Sequence, residues 1–175
     1  MVGAVSPSSK FLMRKMLSNI NFKKARLIIE FGPGTGVFTR EIAQRMNPEC
    51  KLIVFELHDA FFTKLSEEFQ DNPSVLLRNE SAENISIALN EKNLNGIDVI
   101  ISSLPLANFP RELIHSILSN GVSNLTKDGK FIQFQYSLSA KKHFQDHFNS
   151  VQINFTARNL PPAFIYTCSN ISKID

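Results

Sequence analysis

The stretch Leu27–Gly36, with the sequence LIIEFGPGTG, decides the fold of this chain. An apolar run ends in an acid, three glycines then alternate with other residues, and a helical pattern begins at Val37. A strand, a tight glycine turn and a helix start in this order form the βα unit that binds nucleotides in open parallel sheets. Glycine suits such a turn because the backbone must bend sharply and let a ligand approach without an intervening Cβ atom.

The spacing of the glycines in the turn distinguishes between two kinds of nucleotide ligand. A dinucleotide fingerprint reads G-x-G-x-x-G, whereas this chain reads E-x-G-x-G-x-G, with Glu30 placed just before the turn. A carboxylate at that point disfavours a pyrophosphate and suits a ligand that carries an ammonium and a sulfonium. S-adenosylmethionine is such a ligand.

A second acid supports the same cofactor. The segment Lys51–Glu56 predicts the next strand, and Glu56 at its end lies twenty residues after Gly36. An acid at the tip of the second strand is placed to accept both ribose hydroxyls. Glu56 alone is explained equally well as a solvated strand end. With Glu30 and the glycines in register, the cofactor interpretation is favoured.

Three other segments point to a narrower family. They are GAVSPSS at 3–9, SSLPL at 102–106 and NLPPAFIY at 159–166. Together with the glycine turn, they make the chain resemble the class I S-adenosylmethionine-dependent methyltransferases over nearly its whole length. Within that superfamily it resembles the bacterial phospholipid N-methyltransferases, which are close relatives of the ribosomal RNA adenine dimethyltransferases.

Apolar periodicity and turn residues predict alternating strands and helices. This alternation requires a mostly parallel sheet with helices on both faces, in a single domain over 1–175. The last two strands are joined by a short link and must therefore be antiparallel. The resemblance implies an α/β, doubly wound, seven-stranded Rossmann-like sheet of order 3-2-1-4-5-7-6 with an antiparallel last strand. The predicted strands are about 26–31, 51–56, 74–78, 96–102, 131–136, 151–158 and 163–169; the predicted helices are about 8–19, 37–46, 58–69, 82–91, 110–125 and 139–148; 127–130 is a predicted turn.

The resemblance also implies how the cofactor is held, with S-adenosylhomocysteine as the product. Glu30 attracts the positive end of the methionine moiety, Glu56 binds the ribose and Leu57 covers the adenine. The residues that cradle the methionine moiety are Gly32, Pro33, Gly34, Thr35 and Gly36.

After the third strand the chain departs from its relatives, which often carry Gly-Asp-Ala there. The matching residues are Glu80, Ser81, Ala82 and Glu83, so that Ser81 stands at the Asp position. Either the Ser81 hydroxyl contacts the adenine, or the carboxylate of Glu83 or Glu80 does so.

The segment after the fourth strand bears on the methyl acceptor. RNA and DNA adenine methyltransferases carry Asn-x-Pro-aromatic there, with the amide on the target amine and the ring stacked on the flipped base. This chain has Ser103, Leu104, Pro105 and Leu106, so both the amide and the ring are missing. We also expect no domain beyond the catalytic core, unlike in the ribosomal RNA relatives. Nucleic acid is therefore disfavoured. The Ser-Leu-Pro-Leu version is similar to that of the phospholipid enzymes, so the resemblance implies the amine of phosphatidylethanolamine as the acceptor.

Transfer to an amine mainly requires positioning, with a neutral nitrogen in line with the methyl group and the sulfur. Ser103 is a candidate for both the cofactor site and catalysis. Tyr136, at the tip of the fifth strand, is the candidate to contact the cationic headgroup through its ring face or hydroxyl. The alternative is a tyrosine that caps the core.

Charge is distributed unevenly, although the net charge is only +3. The predicted amphipathic segment 1–25 is basic, and no acid precedes Glu30. This asymmetry predicts an anionic partner, either a membrane surface or a nucleic acid, unless it is a solvated helix face. Lys10, Phe11, Arg14 and Lys15 are the candidate lipid-binding residues. With no apolar run of membrane-span length and no secretory signal, a cytoplasmic protein, peripheral on the inner membrane face, is expected.

No metal site is predicted. His143 and His147 have metal-ligand spacing but no third ligand, and Cys50 and Cys168 lie far apart. The alternatives to lipid methylation are transfer to a soluble amine, an RNA-modifying or RNA-binding protein, and a cofactor-binding module without activity.

Overall fold

A computed structural model describes residues 10–157 and 159–170. Six α-helices and seven strands alternate along this part of the chain. The helices are α1 (Lys10–Leu17), α2 (Val37–Arg45), α3 (Asp59–Phe69), α4 (Ile85–Glu91), α5 (Arg111–Asn124) and α6 (Lys141–His147). The strands are β1 (Leu27–Phe31), β2 (Lys51–Phe55), β3 (Val75–Arg78), β4 (Ile97–Ser102), β5 (Leu125–Gln135), β6 (Ser150–Thr156) and β7 (Ala163–Ser169).

The strands form one sheet in the order β3-β2-β1-β4-β5-β7-β6. β1 pairs in parallel with β2 and β4, and β7 pairs antiparallel with β5 and β6. The predicted class and strand order are therefore confirmed. All five residues of β1 are buried, as expected for a central strand covered on both faces.

Two apolar layers cover the two faces of the sheet, because alternate strand residues point to opposite sides. Ile29, Phe31 and Ile53 pack with the apolar faces of α4, α5 and α6. Ile28 and Leu52 pack with α1 and α2 on the other side. These layers bury both faces of the sheet, while the ends of its strands are not covered by them.

Helix α1 runs opposite to the parallel strands. Lys15 Nζ donates a hydrogen bond to the carbonyl of Phe155, near the end of β6 (2.9 Å). Lys130 Nζ donates to the carbonyl of Asn19, just beyond α1 (3.2 Å). The N-terminal end of α1 therefore lies at the edge where β6 ends. The predicted helix start near Ser8 and the whole GAVSPSS segment lie outside the described residues.

The prediction of a turn at 127–130 that precedes the fifth strand is wrong, because these residues lie within β5. β5 already begins at Leu125, which pairs with Ile97, and the ladder resumes with Lys130 opposite Val99. The intervening residues bulge out of a strand instead of preceding it. A Cβ atom on Gly129 would lie 2.7 Å from the carbonyl oxygen of Ile97, so glycine is needed inside this bulge.

Over the described part of the chain, the helices are all too short or too polar to cross a bilayer.

Candidate active site

The ends of the parallel strands gather the predicted site residues along one edge of the sheet, here called the carboxyl edge. Phe31, the last residue of β1, pairs with Phe55 of β2 and Ser102 of β4, and Phe55 pairs with Arg78 of β3. The segments that follow these four residues are therefore neighbours. The strand order reverses between β1 and β4, where ligands bind in open α/β sheets.

The glycine turn has the predicted shape. Gly32, Gly34 and Gly36 have φ angles of 65°, 53° and 80°, which L side chains rarely adopt. A Cβ atom on Gly32 would lie 3.0 Å from the Leu104 side chain, whereas one on Gly34 would meet nothing within 4 Å. The turn therefore packs closely on its flanks and leaves open space over Gly34.

Glu56 closes this space from the side of β2. Its Oε2 accepts a hydrogen bond from the N–H of Gly34 (3.0 Å), and its Oε1 accepts one from the N–H of His58 (2.8 Å). Each carboxylate oxygen keeps a further lone pair, so the side chain retains capacity for two ribose hydroxyls. Leu57, the next residue, is 66% exposed and offers an apolar surface beside the acid.

Glu30 is fully buried, and neither of its carboxyl oxygens has a hydrogen-bond partner. The pKa of its carboxyl is raised from 4.5 to about 8, chiefly by burial; the nearby hydroxyl and N–H of Thr39 lower the pKa in part, and the charge of Glu56 raises it further. The Thr39 hydroxyl also lacks a partner in hydrogen-bond geometry. A buried acid without a partner is costly, and a positively charged ligand beside the turn would restore its ionised form. The residues present therefore fit S-adenosylmethionine.

The segment after β3 is joined to this site by an asparagine side chain. Asn79 Nδ2 donates to the carbonyl oxygen of Glu56 (2.9 Å). Ser81 Oγ lies 3.2 Å from a carboxylate oxygen of Glu83 and caps the 3₁₀ helix Ala82–Asn84. Glu80 pairs instead with Arg78 (2.5 Å). Ser81, Ala82 and Glu83 thus remain the candidates for contacts with the adenine.

A cavity of about 220 Å³ lies beside the turn, between the segments after β4 and β5, and is here called the acceptor pocket. Ser103 lies in its wall, and its hydroxyl is buried without a hydrogen-bond partner. The pocket is lined by Ser103, Leu104, Pro105, Ala107, Asn108, Phe134, Gln135, Tyr136 and Ser137.

Two glutamines of β5 occupy the carbonyl of Leu104. Gln133 Nε2 and Gln135 Nε2 donate to it at 2.8 Å and 2.9 Å. A carbonyl oxygen has two lone pairs, so this group has none left for an acceptor amine, whereas the Ser103 hydroxyl is available. Sequence reasoning missed these glutamines, although two amides in a buried apolar strand are a usable signal.

Tyr136 lies in the pocket wall with 42% of its surface exposed. Its ring meets Phe134 edge-on, with centroids 5.6 Å apart. Burial raises the pKa of its hydroxyl, and a hydrogen bond with Asn159 partly offsets that shift. Asn159 in turn donates to the carbonyl of Pro161 (2.7 Å). The link between β6 and β7 therefore forms part of the same site.

The basic residues of α1 and several exposed apolar side chains lie around the carboxyl edge. Lys10 and Arg14 are exposed, Phe11 is 38% exposed, and Lys15 is held by the Phe155 carbonyl. Leu160, in the link between β6 and β7, is 86% exposed. This distribution is compatible with a surface that faces lipid.

The ring of His147, one of the two histidines with metal-ligand spacing, makes specific contacts. His147 Nε2 lies 2.9 Å from Nδ1 of His115, and His147 Nδ1 lies 2.6 Å from the carbonyl of His143. Among residues 10–157 and 159–170, no group of three or more His, Cys, Asp or Glu side chains is arranged to hold a metal ion. Cys50 and Cys168 are buried free thiols.

Known proteins resemble this chain in sequence. The family model described as ribosomal RNA adenine dimethylase matches residues 8–128. The ornithine lipid N-methyltransferase of Singulisphaera acidiphila is 30% identical over 173 residues, which cover 98% of this chain and 90% of that protein. The ribosomal RNA small subunit methyltransferase A of Dehalococcoides mccartyi is 30% identical over 107 residues, covering 58% of this chain and 36% of that protein.

Solved structures share the fold. The precorrin-6y C5,15-methyltransferase of Geobacter metallireducens superposes with a TM-score of 0.71 at 13% identity, over 92% of this chain and 87% of that one. An rRNA methylase from Streptococcus thermophilus superposes with a TM-score of 0.67 at 14% identity, over 89% and 93%.

Proposed function

Because the chain belongs to the ribosomal RNA adenine dimethylase family of class I S-adenosylmethionine-dependent methyltransferases, we propose that it methylates the primary amine of a membrane amino lipid. The donor, when bound, supplies the electrophilic methyl group. Phosphatidylethanolamine is the acceptor that the sequence predicts. The similarity to an ornithine lipid N-methyltransferase adds the amine of an ornithine headgroup as a second candidate.

The residues that follow β4 carry this proposal. A flipped base needs an amide for its exocyclic amine and a ring for stacking. At the chain positions of that amide and that ring, this protein has Ser103, in the pocket wall, and Leu106, which is buried in the core. The Leu104 carbonyl is already occupied by Gln133 and Gln135. A flexible aliphatic amine needs neither a stacking ring nor an amide.

The cofactor residues have separate proposed roles. Glu30 provides the negative charge for the ammonium and sulfonium, and Glu56 accepts from the ribose hydroxyls. Leu57 covers one face of the adenine, while Ser81, Ala82 and Glu83 line its edge. Gly32, Pro33, Gly34, Thr35 and Gly36 present backbone to the methionine moiety; the open space over Gly34 supports this arrangement.

The acceptor nitrogen must be neutral when it attacks the methyl group, so an ammonium has to lose its proton on binding. In the proposed arrangement the Ser103 hydroxyl accepts a hydrogen bond from the neutral amine and directs its lone pair towards the methyl group. The Tyr136 ring faces the aliphatic part of the headgroup and favours its cationic methylated products. The unpartnered Ser103 hydroxyl supports the first role, and the half-exposed Tyr136 ring supports the second.

The proposed partner is an anionic membrane surface that the protein meets with its carboxyl edge. Lys10, Arg14 and Lys15 provide positive charge, and Phe11 and Leu160 provide apolar contacts. Support comes from the direction of α1, whose N-terminal end lies at this edge.

One experiment tests the acceptor class. Purified protein is incubated with methyl-labelled S-adenosylmethionine and, in parallel, with vesicles containing phosphatidylethanolamine, vesicles containing an ornithine lipid, ribosomal RNA, and soluble ethanolamine. We expect label in the chloroform phase, with a lipid product heavier by one or more methyl groups. Label in RNA or in the aqueous amine instead would overturn the proposal, and cofactor binding without any transfer would indicate an inactive module.

A further inference from the structure

A second cavity, of about 630 Å³, lies between α5 and α6 and has no role in the proposed chemistry. Its volume is within the range of small-molecule sites. None of the side chains that line it is apolar. They are Arg111, His115, Ser119, Ser139, Lys142, His143, Asp146 and His147. This α5–α6 cleft is therefore suited to a polar or charged group.

The cleft adjoins the acceptor pocket through two serines. Ser137 lines the acceptor pocket and Ser139 lines the cleft, and their hydroxyls are 2.8 Å apart. Arg111 and Lys142 lie in the first turns of α5 and α6. These helices follow β4 and β5 and therefore begin at the carboxyl edge. The cationic end of the cleft is thus the end nearest the acceptor pocket.

The histidines of the cleft already satisfy one another. The His147 Nδ1 contact to the His143 carbonyl assigns the proton to Nδ1, so His147 Nε2 accepts from His115 Nδ1. The remaining nitrogen of His115 lies 3.5 Å from the Ser119 hydroxyl. Neutral imidazoles are sufficient for all of these contacts. The fixed positive charge of the cleft therefore comes from Arg111 and Lys142.

These two cations lack the partners that other bases in this protein have. Within the described ranges, Arg111 and Lys142 form no ion pair, although Asp146 lines the same cleft. In contrast, Arg26, Arg40, Arg45 and Arg78 each pair with a glutamate. Two unpaired cations beside a hydroxyl, with a single carboxylate nearby, leave the cleft with an excess of positive charge.

We infer that the cationic end of the α5–α6 cleft binds the anionic group of the acceptor, the phosphate or carboxylate that lies close to the amine in a zwitterionic headgroup. This inference rests on the proposed function. Arg111 offers a planar fork for two oxygens, Lys142 a point charge and Ser139 a hydroxyl donor. In this arrangement the amine lies in the acceptor pocket at Ser103 and Tyr136. The anion lies in the cleft, on the other side of the Ser137–Ser139 contact. The two charges of one headgroup together fix its orientation.

The substrate class follows from this division. The enzyme selects amines that carry a neighbouring anion and discriminates against long-chain amines that lack one. An ethanolamine phosphodiester and an ornithine headgroup both meet the requirement, the first with a phosphate and the second with a carboxylate.

The test compares the double variant Arg111→Gln/Lys142→Gln with the matched control Lys92→Gln/Lys127→Gln, whose exposed lysines lie towards the opposite edge of the sheet. Acceptors are phosphatidylethanolamine, an ornithine lipid and a long-chain alkylamine, each in neutral detergent micelles. In the cleft variant we expect KM for both zwitterionic lipids to rise about ten-fold or more, because two charge-assisted contacts are lost. We expect kcat and the alkylamine rate to be unchanged. A rise with only one lipid identifies phosphate or carboxylate as the recognised anion.

Binding measurements keep this inference separate from the proposed function. Inorganic phosphate and acetate are titrated into the full-length protein and followed by amide chemical shifts of the α5 and α6 residues. Saturable shifts in the wild type and the control, lost in the cleft variant, support the cleft even if no lipid is methylated. No saturable shift, or equal KM values for the cleft variant and the control, would overturn it. Transfer to RNA together with saturable shifts would overturn the proposed function alone.

Discussion

The backbone N–H of Gly34 donates a hydrogen bond of 3.0 Å to Oε2 of Glu56, which ties the glycine turn after β1 to the tip of β2. The other oxygen of Glu56 holds the N–H of His58 at the start of α3. Two segments that would contact different parts of the cofactor are therefore held in register by one carboxylate. Such preorganisation reduces the ordering cost of binding.

Replacing Glu56 by Gln should weaken cofactor binding more than it weakens the fold. The amide keeps the size of the side chain, but its NH₂ group cannot accept from the N–H of Gly34 or His58. One backbone contact and one ribose contact are lost together, so we expect the affinity for S-adenosylhomocysteine to fall about ten-fold or more. Calorimetric titration measures this. Glu67→Gln on the exposed face of α3 is the control, and equal affinities in both variants would contradict the assignment.

Gly34→Ala and Gly36→Ala should separate binding from stability. Both alanines must adopt a left-handed conformation, which costs about 1–2 kcal/mol. At Gly34 the new methyl group enters open space, whereas at Gly36 it also collides with the Leu65 side chain. We expect Gly36→Ala to lower the unfolding free energy by at least about 1 kcal/mol more than Gly34→Ala does.

Denaturant unfolding measures that difference in stability. Cofactor titration measures the effect of each variant on binding. Gly34→Ala should remain folded while its affinity for the cofactor falls strongly, because the methyl group occupies the proposed ligand space. A Gly34→Ala variant with wild-type affinity would show that the ligand does not approach the turn at this position.

Glu30 should make the stability of the ligand-free protein depend on pH. Its pKa rises from 4.5 to about 8 on folding, so between these values the native state holds a proton that the unfolded chain has released. The unfolding free energy therefore declines as the pH rises through this window, by at most about 1.4 kcal/mol per pH unit from this group. Denaturant titrations of the wild type and Glu30→Gln across the window should show a shallower decline in the variant. Equal slopes would mean that Glu30 is already ionised.

The parallel sheet and its antiparallel last strand could be predicted because their signals are local, whereas the strand order came from the family resemblance. The glycine turn at 32–36, the doubly apolar run of β4 and the short link before β7 each restrict the topology independently. The sequence predicts a turn in place of the bulge before Lys130 because Asp128 and Gly129 are typical turn residues, and a glycine inside a bulged strand gives the same local signal. Local residue preferences cannot predict that the carbonyl of Ile97 approaches Gly129.

The site was predicted less completely because part of it depends on contacts between distant segments. Glu30 and Glu56 follow from their positions at strand ends. The occupation of the Leu104 carbonyl by Gln133 and Gln135, and the contact of His115 with His147, depend on side-chain packing across neighbouring elements. Periodicity predicts which face a residue occupies, but not the atom that it meets there.

Substitutions at Tyr136 should distinguish its ring from its hydroxyl. If the ring face contacts the headgroup, Tyr136→Phe should retain most of the activity, and Tyr136→Ala should lower kcat/KM for the lipid about ten-fold. If the hydroxyl with its Asn159 contact matters, Tyr136→Phe and Asn159→Ala should lower it to a similar extent. Initial rates on amino-lipid micelles measure both. Wild-type rates in Tyr136→Phe and Tyr136→Ala would exclude Tyr136 from the acceptor site.

Binding to anionic vesicles should depend on the outer face of α1. Lys10 and Arg14 are exposed at the carboxyl edge, whereas Lys15 is held by the Phe155 carbonyl and is best left unchanged. Lys10→Gln/Arg14→Gln removes two surface charges worth about 1 kcal/mol each near an anionic bilayer, so vesicle affinity should fall on the order of ten-fold and lose much of its salt dependence. Lys23→Gln/Lys24→Gln removes the same charge at the other edge of the sheet, where Lys24 and Asp98 line one pocket, and this variant should bind as the wild type does. Co-sedimentation at low and high salt measures both variants. If the two lose affinity equally, net charge and not the orientation of α1 governs membrane binding.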